Sequence, residues 1–304
     1  MDERTCDVGR GITLCYETFG DPADPPALLV MGLSTQMIGW HEDFCEELAG
    51  RGFHVVRFDN RDIGRSTHTG IRPPTMRQMI TRRFSPQQYT LSDLAEDTAG
   101  LLRELDLAPA HLVGASMGGM IAQTVAVERP EHVRSLTSIM STTGSRWRGQ
   151  PSLAAYPYLL GSPPRTRDEM IDRAARVFGV VGSKELHDEE AVREMAGRSF
   201  DRGHNRAGGA LQLGAILASG NRTRALQRIS APTLVIHGTR DKLIKPSGGR
   251  ATAKAIPGSR LMMVKGMGHD LPRPLWSRLL DAIAEHAHAA DRAAGRGRES
   301  APVA

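Results

Sequence analysis

The run HLVGASMGGM, His111 to Met120, places one serine among glycines, between two kinds of apolar pattern. Ahead of it, Leu112 and Val113 form the short apolar run expected of a buried strand. Behind it, MIAQTVAVE has the spacing of a helix that stops before Pro130. Gly114 and Gly118 stand two residues to either side of Ser116, so the segment has the form G-x-S-x-G on a strand–turn–helix. So sharp a turn forces its central residue into a strained conformation and brings the flanking positions too close for side chains. It also lifts the hydroxyl to a helix N-terminus, where free N–H groups and the helix dipole favour developing negative charge. The bland alternative is a glycine-rich turn with an incidental serine. The strand before and the helix after favour a nucleophile.

Working outward, the same rhythm of strand and helix continues in both directions. ITLCYETFG alternates as an antiparallel edge strand does, and after the turn-rich GDPADPP comes the apolar strand ALLVM, Ala27 to Met31. A helix around Trp40 to Leu48 is closed by Gly50. The strand Phe53 to Asp59, the helix LSDLAEDTAGLLRELDL and, beyond the serine, the strand RSLTSIM complete this half. Strands that are apolar throughout and alternate with helices indicate a mostly parallel sheet covered on both faces, the α/β class. The rhythm stops at Ser145. From there to about Arg228 only helical stretches appear, one with Met170, Ile171, Ala174, Val177 and Phe178 at helical spacing, another being GALQLGAILAS. PTLVIHG (Pro232 to Gly238), a short helix, RLMMVKG and a closing helix from about Pro274 then resume it. The expected organisation is one core made of residues 1–144 and 229–288, a helical cap inserted at 145–228, and a tail at 289–304 with too little to bury to be ordered.

Composition narrows the function classes. With 40% hydrophobic and 24% charged residues in 304, a packed core is feasible and wholesale disorder is excluded. No apolar run has membrane-spanning length, and the N-terminus MDERTCDVGR lacks the apolar stretch of a secretory signal. Cys6, Cys15 and Cys45 form no CxxC unit and no Cys/His cluster of zinc-ligand spacing. A cytoplasmic protein with reduced thiols and no metal or cofactor is the expectation. The net charge of +5 invites a nucleic-acid reading, but the arginines are scattered and no nucleic-acid module is recognisable, so no such partner is expected. The stretch from Arg146 to Arg224 carries 13 Lys and Arg against nine Asp and Glu, a surplus of four. A solvated rim and the steering of anionic substrates both remain open for it.

A serine hydroxyl needs a base to take its proton and an acid to orient that base. In a strand–turn–helix site of this form both follow later in the chain. TLVIHGTRDKLI supplies Asp241 just past its strand, and RLMMVKGMGHD supplies His269 in a glycine-rich loop past the last strand. Each falls on a loop at the carboxyl edge of the sheet, where open α/β sheets bind ligands. His237, at a strand end, is expected to be a packed, hydrogen-bonded histidine, and the Asp270 side chain to point away from the site. An acid after RSLTSIM is the other known position, but Ser141 and Thr142 stand there. The oxyanion calls for two donors: the N–H of Met117, directly after the nucleophile, and that of Leu33, in the loop VMGLS where Gly32 admits close approach. Asp59 and Arg61 in DNRDIGRST are expected to tie loops together rather than touch substrate.

With these residues placed, the chain resembles the α/β-hydrolase superfamily from about Gly11 to His288, and within it is similar to aclacinomycin methylesterase and related actinobacterial esterases. The stretches that carry the likeness are GDPADPPALLVMG, RDIGRST, GASMGG, APTLVI and GMGH. The resemblance implies a cofactor-free serine hydrolase with a helical cap. It places catalytic roles on Ser116, Asp241 and His269 and oxyanion roles on Leu33 and Met117. One departure is that Met31 precedes Gly32 where many members have histidine, which changes what supports the oxyanion loop.

The reaction expected is hydrolysis of a small-molecule carboxylic ester by a monomer or homodimer, falling off on the acid side of roughly pH 6–7 as the histidine protonates. The same triad also serves C–C bond hydrolysis, perhydrolysis and amide cleavage, and the fold also serves as a ligand-binding receptor. Dehalogenase and epoxide-hydrolase chemistry is disfavoured, since both use an aspartate where Ser116 stands.

Overall fold

Strand β3 (Pro26–Val30) shows why the sheet must be covered on both sides: Leu28 and Leu29 point to opposite faces, yet neither is more than 1% exposed. The structure, a computed structural model, describes residues 2–157, 161 and 163–299. Its strands are β1 (Arg4–Asp7), β2 (Thr13–Phe19), β3, β4 (His54–Phe58), β5 (Ala110–Ala115), β6 (Val133–Ile139), β7 (Thr233–Gly238) and β8 (Arg260–Val264). They form one eight-stranded sheet in the order β1-β2-β4-β3-β5-β6-β7-β8. The β1–β2 and β2–β4 pairs are antiparallel and the rest parallel. ITLCYETFG is therefore antiparallel as expected but not the edge. β1 covers it, a strand too short and too mixed in character to carry an alternating signal.

The helices are α1 (Glu42–Ala49), α2 (Met76–Thr81), α3 (Leu91–Glu104), α4 (Met117–Glu128), α5 (Arg167–Val181), α6 (Glu189–Arg202), α7 (Gly208–Ser219), α8 (Thr223–Leu226), α9 (Ser247–Ala255) and α10 (Trp276–Glu299). On one face Leu28, Val56 and Leu112 pack against Leu94 and Leu101 of α3 and Ile121 and Val125 of α4. On the other, Leu29, Val113 and Ile236 pack against Phe44 and Leu48 of α1 and Leu279 and Ile283 of α10. Helices α5 to α8 all fall between β6 and β7.

The closing helix corrects one expectation. Residues 289–299 are not a disordered tail but continue α10, because they do find something to bury: Ala290 is packed, and Asp291 reaches His111 at 3.2 Å and Arg134 at 3.3 Å. Residues 300–304 lie outside the described residues.

The crossing of β5 into α4 needs glycine for a steric reason. A Cβ on Gly118 would lie 1.9 Å from the Val30 carbonyl oxygen, and one on Gly114 would lie 2.3 Å from that of Gly118. Both obstacles are backbone, which has no rotamer to yield. Gly118→Ala is expected to destabilise the protein by more than about 3 kcal/mol, read as a lowered urea midpoint, because the helix must leave the sheet to admit the methyl group.

Candidate active site

Ser116 sits at the junction of β5 and α4 with φ 56° and ψ −117°, a left-handed backbone that a β-carbon makes costly. The cost is borne because the turn is held from both sides: the Ser116 N–H donates to the Ile139 carbonyl at 2.9 Å, and its own carbonyl accepts from Met120 N–H at 3.2 Å. The geometry leaves the hydroxyl at the start of α4, whose first N–H groups have no partner within the helix.

The parallel register brings the ends of β3, β5, β6, β7 and β8 to one edge, and the loops beyond them meet there. His269, from the loop after β8, places Nε2 2.9 Å from the Ser116 Oγ. Its Nδ1 lies 2.8 Å from Asp241 Oδ2, in the loop after β7. The other carboxylate oxygen, Oδ1, accepts from the N–H groups of Leu243 at 2.9 Å and Ile244 at 2.8 Å. Although burial alone pushes the Asp241 carboxyl up, the charge and hydrogen bond of His269 and the hydrogen bond of His237 outweigh it and hold the group at about 2. Asp241 is thus ionised throughout the range in which enzymes work.

His237 is buried and hydrogen-bonded as expected, and its bonds reach the acid. Its Nε2 lies 2.8 Å from the Ile244 carbonyl and 3.3 Å from Asp241 Oδ2. A carbonyl only accepts, so Nε2 must carry the proton, and that proton is shared with the carboxylate. Two histidines therefore meet at one carboxylate oxygen.

Met117 follows the serine directly as the first residue of α4, and Leu33 follows Gly32 in the loop after β3. Gly32 abuts the nucleophile so closely that a Cβ there would lie 3.1 Å from that of Ser116. The Leu33 N–H makes no hydrogen bond among the described residues. With Met31 in place of histidine, the loop is supported from elsewhere. Asn60 Nδ2 donates to the Met31 carbonyl at 3.0 Å, and Ser34 N–H, at φ 59°, donates to Gln212 Oε1 of α7 at 2.9 Å. Gln212 in turn donates to the Arg61 carbonyl at 3.2 Å.

The Asp270 side chain does point away from the triad, and its destination matters. It accepts from Ser183 Oγ at 2.5 Å and from Ser183 N–H at 2.9 Å, just past the end of α5. The same hydroxyl accepts from Gly268 N–H at 2.8 Å, and His269 N–H donates to the Val181 carbonyl at 2.8 Å. Four hydrogen bonds thus lock the loop that carries the histidine to the inserted helices. Gln212 and Ser183 are functional candidates that residue type and spacing alone do not single out, since each acts through a contact far away in sequence.

Asp59 and Arg61 tie loops together, as expected. Asp59 is fully buried and accepts from Met37 N–H at 2.7 Å, Arg65 N–H at 3.0 Å and Arg202 Nη1 of α6 at 2.6 Å. Arg61 forms a pair of 2.5 Å bonds to Asp97 of α3.

Comparison with known proteins agrees with this architecture. Over 92% of this chain and 96% of the relative, the sequence is 30% identical to the rhodomycin D methylesterase of Streptomyces sp. strain C5. The corresponding protein of Streptomyces peucetius is 28% identical over the same shares. Among solved structures, the enol-lactonase of Burkholderia xenovorans superposes with a TM-score of 0.73 at 22% identity, covering 93% of this chain and 99% of the other. The family model described as the alpha/beta hydrolase fold matches residues 25–272, from the first core strand to just past His269. Strand order, sharp turn and sequence match agree, and the chain belongs to the α/β-hydrolase family.

Proposed function

We propose that the protein hydrolyses carboxylic esters through an acyl-enzyme on Ser116. The observation that carries this reading is the unbroken chain of hydrogen bonds from Ser116 Oγ to His269 to Asp241. His269 takes the hydroxyl proton as Oγ attacks the ester carbonyl. Asp241 steadies the imidazolium that results, and the N–H groups of Leu33 and Met117 receive the oxyanion. The imidazolium then protonates the departing alcohol. Water, deprotonated by the same nitrogen, releases the acid and restores the serine.

The helices of residues 145–228 act as the cap that shapes the acyl or alcohol pocket. Val177, Phe178 and Leu213 remain half-buried, whereas Leu211, Ala215 and, in part, Ile216 of α7 pack against the core. Apolar surface is therefore left over for a substrate, and methyl esters, the class in the names of the Streptomyces relatives, are the first candidates.

The test is chemical. A fluorophosphonate should label the protein at a single peptide containing Ser116, and a p-nitrophenyl ester should show a burst equal to the enzyme concentration. Labelling elsewhere, or hydrolysis that survives full labelling, overturns the reading.

The bonds to α5 lead to a second expectation. Ser183→Ala removes the hydroxyl that bridges Gly268 and Asp270, and kcat/KM for such an ester should fall about tenfold, the worth of one to two lost hydrogen bonds. The loss should appear in kcat rather than KM, since the base is misplaced while the pocket is intact.

A further inference from the structure

Away from the triad, three stretches of chain that lack any acidic residue converge. No Asp or Glu occurs in residues 63–92, 132–167 or 202–240. Each contributes to the walls of one cavity of about 430 Å³: Arg82 from the first, Ser145, Arg146 and Trp147 from the second, Leu217 and Asn221 from the third. The volume is that of a small-molecule site.

Two features distinguish this cavity from an ordinary surface dip. Arg82 and Arg146 have no carboxylate or hydrogen-bond partner among the described residues, whereas Arg57, Arg61, Arg198 and Arg202 are all committed to acids. Trp147 is 88% exposed, whereas Trp40 and Trp276 are 0% and 7% exposed. An indole left in water beside two unneutralised guanidinium groups, with polar groups from Ser145 and Asn221 on the wall, is a standing cost that a bound ligand relieves.

We infer that this cavity is a binding site for an aromatic carboxylate. The planar guanidinium forks take the two carboxylate oxygens, and the ring lies against the indole with Leu217 beneath it. A neutral ring satisfies only half of the site, and a cationic one is repelled by it. The cavity opens beside the loop that follows β6 and the end of α7, and neither Ser116 nor His269 lines it. The site therefore goes beyond ester hydrolysis, and its test needs no turnover.

Emission from Trp147 dominates the quenchable fluorescence, because the other two indoles are buried. Titration of the full chain with 4-nitrobenzoate, whose ring quenches indoles on contact, should give saturable quenching. The uncharged isostere 4-nitrobenzyl alcohol should need at least about tenfold more, the worth of a charge-assisted hydrogen bond. Arg82→Ala with Arg146→Ala should abolish that preference without altering the melting temperature, and Trp147→Phe should remove the signal while calorimetry still detects 4-nitrobenzoate. Equal quenching by the acid and the alcohol overturns the inference, as does a preference unchanged in the double variant. A blue shift of Trp147 on anionic phosphatidylglycerol vesicles, with no response to 4-nitrobenzoate, overturns it in favour of a membrane-facing patch.

Discussion

Ser116→Ala is expected to lower kcat for ester hydrolysis by about 10⁶-fold, to the level that oxyanion donors and substrate binding alone sustain. The fold should be unaffected. Alanine meets the same left-handed backbone that serine already tolerates, and the two hydrogen bonds that hold the turn are made by main-chain atoms. Among the described residues the Ser116 hydroxyl hydrogen-bonds only to His269, and no bond within the turn depends on it. A melting temperature close to wild type together with lost activity separates chemistry from stability. Activity within about 10²-fold of wild type would show that another group attacks the ester.

Asp241→Asn is expected to cost about 10⁴-fold in kcat, and the structure dictates how. The N–H groups of Leu243 and Ile244 both donate to Oδ1, so an asparagine must keep its carbonyl oxygen there. Its NH₂ then faces His269 and turns Nδ1 into an acceptor. The ring proton moves to Nε2, which can no longer take the proton of Ser116. The amide also donates where the His237 proton is shared, adding a clash the carboxylate lacks. Stability should change as well, with a definite sign. Asp241 has a carboxyl held at about 2, below its ordinary value, so it stabilises the fold at pH above about 4, and that contribution drains away as pH falls towards 2. The asparagine variant should lose this part of the acid limb in urea melts taken from pH 6 down to pH 2. An unchanged limb would mean that Asp241 is not ionised in the folded state.

Much of this was legible in the sequence, for physical reasons. Strands β3, β5 and β7 show as apolar runs because both faces of the sheet are covered there, and Gly114 and Gly118 flank the serine because backbone occupies the space of their side chains. Ser116, Asp241 and His269 each stand at a strand end, so topology alone gathers them. What the sequence hid depends on tertiary contact. The length of β1 gives no periodicity, and α2 has no buried residue to mark a face. Ser183 and Gln212 look like ordinary polar loop or helix residues until the helices are docked. The end of α10 was missed because its anchor is a pairing between Asp291 and His111, 180 residues apart.

Arg202 has a consequence for anyone who would exchange the inserted helices with those of another hydrolase. Its guanidinium binds Asp59 in the core at 2.6 Å, Gln36 beside the oxyanion loop at 2.8 Å and Glu3, ahead of the first strand, at 2.6 Å. A graft that brings its own sixth helix without an arginine at that place strands a buried aspartate. Chimeras that carry residues 145–228 as a block therefore need Glu3, Gln36 and Asp59 to travel with them. A fusion partner joined too tightly to the amino terminus would loosen the lid from the opposite end of the polypeptide.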